Sequence, residues 1–259
     1  MSVFSDVSEF YINFQGKKGI IGYTEMKRPV YYVKVSFSES PVLIAQYAIH
    51  AREYITSYLA MMQAEDFRRR GRTGTVYFIP AVNPDGIFIA ETKDPLYKAN
   101  ANGVDLNVNF DARWGSGTKN TRIRGAENYI GEFPFSESET RALRDFTLAV
   151  KPDITLSYHC KGEEIYWEFF QTGQKRKRDF YIARAVSEAT GYPLKSAGIS
   201  AGGYKDWCIE KLGISALTIE VGKDSLSHPI GKEHAGSIFS KNRNVVGAAI
   251  TAFSEVKWN

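Results

Sequence analysis

His50 stands immediately after the apolar run at residues 41–49, and Glu53 follows three residues later. A second histidine, His159, ends another apolar run at residues 154–158. Two imidazoles and one carboxylate form the protein ligand set of hydrolytic zinc sites, which leave a fourth position for water. Glu220 lies near the end of a third run, residues 216–221. A carboxylate at the mouth of a buried strand is costly without a purpose. Beside zinc it can act as general base toward the bound water. Singly these signals are weak, because a lone histidine after a strand is most often a hydrogen-bonded surface residue. In the order His-x-x-Glu, His, Glu, each at a strand end, they favour one metal centre with one zinc ion.

The elements that must position these residues are legible in the hydrophobic pattern. Strands are predicted over 29–37, 41–49, 75–80, 154–158 and 216–221, with a short one at 164–167. Helices are predicted over 54–70, from 136 to about 150 with a capping box at Ser136 and Glu139, 179–190, 204–212 and 237–256. Gly71 and Gly213 sit where helices should end. Residues 82–134 read as one long irregular stretch, the kind that is usually functional in a compact domain. No first helix is apparent at the N-terminus. Strands alternating with helices imply a single α/β domain over 1–259, with a mixed, mainly parallel central sheet flanked by helices. Sites in such sheets form at the carboxyl ends of the strands. Cys160 follows His159 directly and points to the opposite face of a strand, so it is expected to be a buried structural thiol. His228 and His234 read as surface residues, with His228 at a pocket rim as the alternative.

On the motifs His50-Ala-Arg-Glu53, Asn83-Pro-Asp-Gly86, Gly103-Val-Asp-Leu-Asn107, a strand ending in His159 and Thr218-Ile-Glu220, the sequence resembles the zinc carboxypeptidases of the carboxypeptidase A-like (M14) family. The resemblance runs from about Gly22 to the last helix. It implies a zinc-carboxypeptidase-like fold, zinc on His50, Glu53 and His159, and Glu220 as the base promoting attack by zinc-bound water. It implies that Asp105 orients His50, that Arg52 helps to hold the substrate carbonyl, and that Lys98 supplies oxyanion-stabilising charge. The family clamps a substrate carboxylate with an Asn–Arg pair; here the pair is Asn107-Val108, and an apolar side chain cannot hold a carboxylate. The family's catalytic tyrosine would fall near Gly198, with Tyr204 or Tyr192 as stand-ins. Within the family, residues 159–167, 203–207 and 219–222 resemble bacterial γ-D-glutamyl-L-diamino acid peptidases. Those enzymes cut the γ-D-Glu–meso-diaminopimelate bond of peptidoglycan stem peptides. Such a substrate carries both signs of charge, so Glu163 and Glu164 are candidates for its ammonium. Arg113, Arg122 and Arg124 are candidates for the carboxylate that Val108 cannot hold.

Composition narrows the rest. The chain has 259 residues, 43% hydrophobic and 24% charged, with a formal net charge of +4. That is ordinary for a globular domain. No run approaches the ~18 apolar residues of a membrane span. No secretory signal is visible, and two cysteines suit a reducing compartment, so a cytoplasmic location is expected, a trimmed secreted form being the alternative. The cluster Lys175-Arg176-Lys177-Arg178 reads as a solvated segment just before a helix rather than a nucleic-acid surface. The expected partner is a peptide, with no nucleic acid and no membrane; oligomeric state is not readable. The rival readings are a conventional carboxypeptidase, a deacylase of small acyl amino acids, and a non-catalytic binding module.

Overall fold

The computed structural model describes residues 2–196, 198 and 200–255. Its centre is an eight-stranded sheet. The strands are β1 (Lys17–Tyr23), β2 (Pro29–Ser36), β3 (Val42–Tyr47), β4 (Thr75–Ile79), β5 (Ile154–Cys160), β6 (Glu164–Glu168), β7 (Leu194–Ser196) and β8 (Ser215–Val221). Their order is β1-β2-β4-β3-β5-β8-β6-β7. The pairs β3–β4, β3–β5, β5–β8 and β6–β7 are parallel, whereas β1–β2, β2–β4 and β6–β8 are antiparallel. The sheet is therefore mixed, with its parallel strands at the centre.

The helices are α1 (Val3–Asn13), α2 (Ile55–Arg70), α3 (Pro84–Thr92), α4 (Ser138–Val150), α5 (Gly173–Thr190), α6 (Tyr204–Trp207), α7 (Ala235–Asn242) and α8 (Val245–Glu255). Strand alternation divides the core. Leu43, Ala45 and Tyr47 of β3, Leu156 and Tyr158 of β5, and Leu217, Ile219 and Val221 of β8 face one side. There they pack against Leu59 of α2, Ile182 of α5, Ile238 of α7 and Val246 of α8. The intervening residues of the same strands face the other side, where Leu143 of α4, Tyr204 and Trp207 of α6, and Leu106 and Phe110 of the long connection cover the sheet. This second face is only partly roofed by helix, and irregular backbone completes it.

Several elements depart from the sequence reading. The N-terminus does form a helix, α1: Ser2 caps it by accepting from the Ser5 backbone, and Val3 and Val7 are buried at helical spacing. The stretch at 82–134 is not wholly irregular, because α3 begins at Asn83-Pro84. The Asn83 side chain accepts from the Gly86 N–H, and proline at the first helical position needs no partner for a missing donor. The Ser136–Glu139 capping box does not form. The helix starts at Ser138, Ser136 Oγ donates to Glu137 instead at 2.6 Å, and Glu139 accepts from Asn100. The basic cluster lies inside α5 rather than before it, and Arg176 and Arg178 pair with Glu168 and Asp179. The last predicted helix is two, broken after Asn242, whose side chain is buried against Tyr192; Val256 lies outside the described residues. The edge strands β1 and β7 carry no apolar alternation of their own and exist through pairing. Among the described residues no helix is long and apolar enough to cross a membrane.

Candidate active site

Three adjacent parallel strands carry the chemistry. From β3 the chain leads through α2 to β4 on one side, and β5 then pairs on the other, so a crevice opens beyond the carboxyl ends of β3 and β5. His50 follows β3. Residues Ala51–Glu53 then form a single 3-10 turn, which folds Glu53 back beside it. His159 is the penultimate residue of β5 and lies in register with Glu220 of β8. Cys160 next to it points into the opposite core cluster, and its burial pushes the thiol up, as expected for a structural cysteine.

His50, Glu53 and His159 are buried, and their ligand atoms all lie within 4.8 Å of one another. His50 Nδ1 is 2.9 Å from Glu53 Oε1, His159 Nδ1 is 3.0 Å from Glu53 Oε2, and the two Nδ1 atoms are 3.1 Å apart. Two imidazole nitrogens so close to each other and to a carboxylate form a donor cluster able to hold one metal ion. The outer nitrogen of His50, Nε2, donates to Asp105 Oδ1 at 3.1 Å, which leaves the Nδ1 lone pair facing inward. The donor set and the ring orientation fit zinc.

The electrostatics set the four groups apart. Burial alone would raise Glu53, but the His50 and His159 rings hold it well below the usual carboxylate range. Burial alone would depress His50, but the Glu53 and Asp105 carboxylates raise it to about 9. Burial keeps His159 low despite Glu53. Glu220 behaves oppositely to Glu53: burial, reinforced by the Glu53 and Glu164 carboxylates, pushes it well up. Glu164 sits directly across from Glu220 in the β6–β8 pairing. A carboxylate with raised proton affinity beside a Lewis-acid site is suited to accept and return a proton.

The site opens into a cavity of 430 Å³ whose wall includes His50, Lys98, Asp105, Asn107, Val108 and Glu220. Lys98 is not a free arm: its Nζ lies 2.7 Å from Asp105 Oδ2 and donates to Asn128 Oδ1 at 2.8 Å. Burial would lower the Lys98 ammonium, and Asp105 raises it instead. Arg52 is not among the residues of the wall; it pairs with Glu127 at 2.9 Å and donates to the Leu96 carbonyl.

The remaining sequence candidates are not part of the cavity wall, although Glu164 stands across from Glu220 in the β6–β8 pairing. Arg113 pairs with Glu210 at 3.0 Å and stacks on Phe170, Arg122 lies over Trp114, and Arg124 is exposed. Glu163 pairs with Lys241, and Glu164 accepts from the Tyr166 hydroxyl at 2.5 Å. Tyr204 is buried beneath the wall on Thr147, and Tyr192 is buried on Asn242. The tyrosine that does face the cavity is Tyr166. Among the described residues, the cations that do so, besides Lys98, are Lys119 and Lys205. Sequence reasoning passed over both. Lys205 lay inside the segment 203–207, but one lysine after a glycine pair carries no signal until the turn is folded. His228 is half-buried and His234 is at the surface beside Glu233.

The comparisons agree with this geometry. The profile of the zinc carboxypeptidase family matches residues 16–230. A γ-D-glutamyl-L-diamino acid endopeptidase of Lysinibacillus sphaericus is 29% identical over 222 residues, which cover 71% of this chain and 55% of that protein. The chain thus spans about half the length of that relative. Bovine thrombin-activatable fibrinolysis inhibitor superposes with a TM-score of 0.86 at 23% identity, covering 99% of this chain and 98% of that one. A murein-tripeptide amidase of Escherichia coli O157 superposes with a TM-score of 0.67 at 23% identity, covering 94% of each. At such identities the superpositions speak for the fold, and the profile speaks for the lineage. With a two-histidine, one-carboxylate centre at the strand ends, the chain belongs to the zinc carboxypeptidase family.

Proposed function

We propose that this chain hydrolyses peptidoglycan-derived stem peptides at the bond between γ-D-glutamate and meso-diaminopimelate. The observation that carries the reading is Val108: an apolar side chain stands in the cavity wall beside Asn107, so a free α-carboxylate finds no guanidinium there. The relative from Lysinibacillus sphaericus, named for a γ-D-glutamyl-L-diamino acid bond, supports the same substrate class.

His50, Glu53 and His159 would hold the zinc ion, which would supply Lewis acidity toward the scissile carbonyl and water. Glu220 takes the proton of the attacking water as the new C–O bond forms. It returns that proton to the departing amine nitrogen as the C–N bond breaks. Lys98, fixed by Asp105 and Asn128, spends two of its three N–H groups on them and offers the third to the developing oxyanion.

The test is digestion by zinc-loaded protein, read by mass spectrometry. L-Ala-γ-D-Glu-meso-diaminopimelate should release diaminopimelate, and ordinary peptides with free C-termini should stay intact. Trimming of the ordinary peptides with the tripeptide untouched overturns the proposal in favour of a conventional carboxypeptidase.

A further inference from the structure

Lys205 and Asp206 form a buried ion pair in the wall of the same cavity, 5% and 2% exposed. Lys205 Nζ lies 2.6 Å from Asp206 Oδ1 and donates to the Glu168 carbonyl at 3.1 Å, with the Phe169 ring 5.2 Å away. Asp206 Oδ2 accepts from the Gly203 N–H at 3.2 Å. An ammonium has three donors and a carboxylate about four acceptor positions, so each partner keeps unused capacity. Burying two charges rarely stabilises a fold beyond what apolar packing would give. A buried pair in a cavity wall can serve a molecule that enters the cavity.

We propose that the Lys205–Asp206 pair receives a zwitterionic amino-acid head on the side chain of the residue whose amine is released. A lone anion gains from Lys205 and loses to Asp206; a lone cation does the reverse. An ammonium and a carboxylate on one carbon satisfy both in an antiparallel arrangement. Diaminopimelate carries such a head at its distal end, and lysine carries only the ammonium. The inference deepens the γ-D-glutamyl-diaminopimelate reading and rests on it.

The experiment compares L-Ala-γ-D-Glu-meso-diaminopimelate with L-Ala-γ-D-Glu-L-Lys, which keeps the scissile bond and drops the distal carboxylate. In the unmodified enzyme kcat/KM should favour the first by about 10- to 100-fold, the range for a hydrogen bond to a charged group. Lys205→Met should erase that preference, chiefly by raising KM for the diaminopimelate tripeptide, with zinc content unchanged. Equal rates on both tripeptides in the unmodified enzyme overturn the head-group receptor and leave the bond specificity standing. Should neither tripeptide be cleaved, the bond specificity falls. Calorimetry of the unmodified zinc enzyme with free meso-diaminopimelate and free L-lysine then judges the receptor by itself. Tighter binding of diaminopimelate supports it, and equal affinity or no binding overturns it. The unmodified-enzyme comparisons hold even if Lys205→Met, which strands the Asp206 charge, folds poorly.

Discussion

Every polar atom of the His50 ring is committed: Nδ1 toward Glu53 and His159, Nε2 toward Asp105. The carboxylate at 105 fixes which nitrogen carries the proton, and that fixes the lone pair offered to metal. Asp105→Asn can present an N–H where only an acceptor serves. It should weaken zinc binding by about 10- to 100-fold, read by competition with a chromogenic chelator. Glu220 is set apart from Glu53 by environment alone. Both are carboxylates of one site, yet the imidazoles hold Glu53 ionised, whereas burial and neighbouring carboxylates push Glu220 up. Environments that split like groups in this way assign roles, one carboxylate to metal and one to proton transfer. Glu220→Gln should lower kcat/KM by about 10²- to 10⁴-fold at full zinc occupancy, measured by turnover alongside metal analysis. A variant that loses zinc in step with activity would make Glu220 a contributor to the metal centre instead of the base.

At the scale of elements, the cavity wall depends on backbone that no periodicity announces. Gly202 has φ +87, and a Cβ there would come within 2.8 Å of the Val108 carbonyl oxygen. Its N–H donates to the Ala112 carbonyl and its carbonyl accepts from the Phe110 N–H, so it staples the long connection to the start of α6. This stapling sets Val108, Lys205 and Asp206 around one space. Gly202→Ala meets both an unfavourable backbone region and a backbone clash. It should cost about 1–3 kcal/mol, or about 2–4 °C in Tm for each kcal/mol, and should raise KM through displacement of the wall. Calorimetric melting and steady-state kinetics check the two halves. A variant with unchanged Tm and KM would show that the wall tolerates the shift.

At the scale of the whole molecule, one buried carboxylate links stability to pH far from the metal. Burial, with the Glu137 charge nearby, raises Glu139 to about 7 from its ordinary 4.5, although Asn100 and Ser138 donate to it. The folded state therefore holds this proton more tightly than the unfolded chain does. The stability it contributes is complete below about pH 4.5 and is lost as pH rises through 7. Glu139→Gln mimics the protonated form and should remove that loss. The stability advantage of the variant, read from melting curves, should grow from pH 4.5 to 7 and level off above, with a ceiling of about 3 kcal/mol. A difference that stays flat over this window would show that Glu139 titrates normally in the folded protein.

The sequence by itself determined the parts whose signal is local in the chain. Apolar runs ending in His50, His159 and Glu220 specify buried parallel strands, and such strands place their last residues at one edge of a sheet. The alternation of strands and helices likewise specified the α/β class. What only the tertiary structure decided are the meetings between distant segments. Among them are the choice of Lys205 and Lys119 over Arg113, Arg122 and Arg124 as cations at the cavity, and the placing of Tyr166 there instead of Tyr204. The edge strands β1 and β7 belong here too, because pairing creates them. The physical reason is the same throughout. A hydrophobic period is read within a few turns of chain, whereas the direction of a loop side chain is set by the backbone it packs against, and that backbone arrives from elsewhere in the sequence.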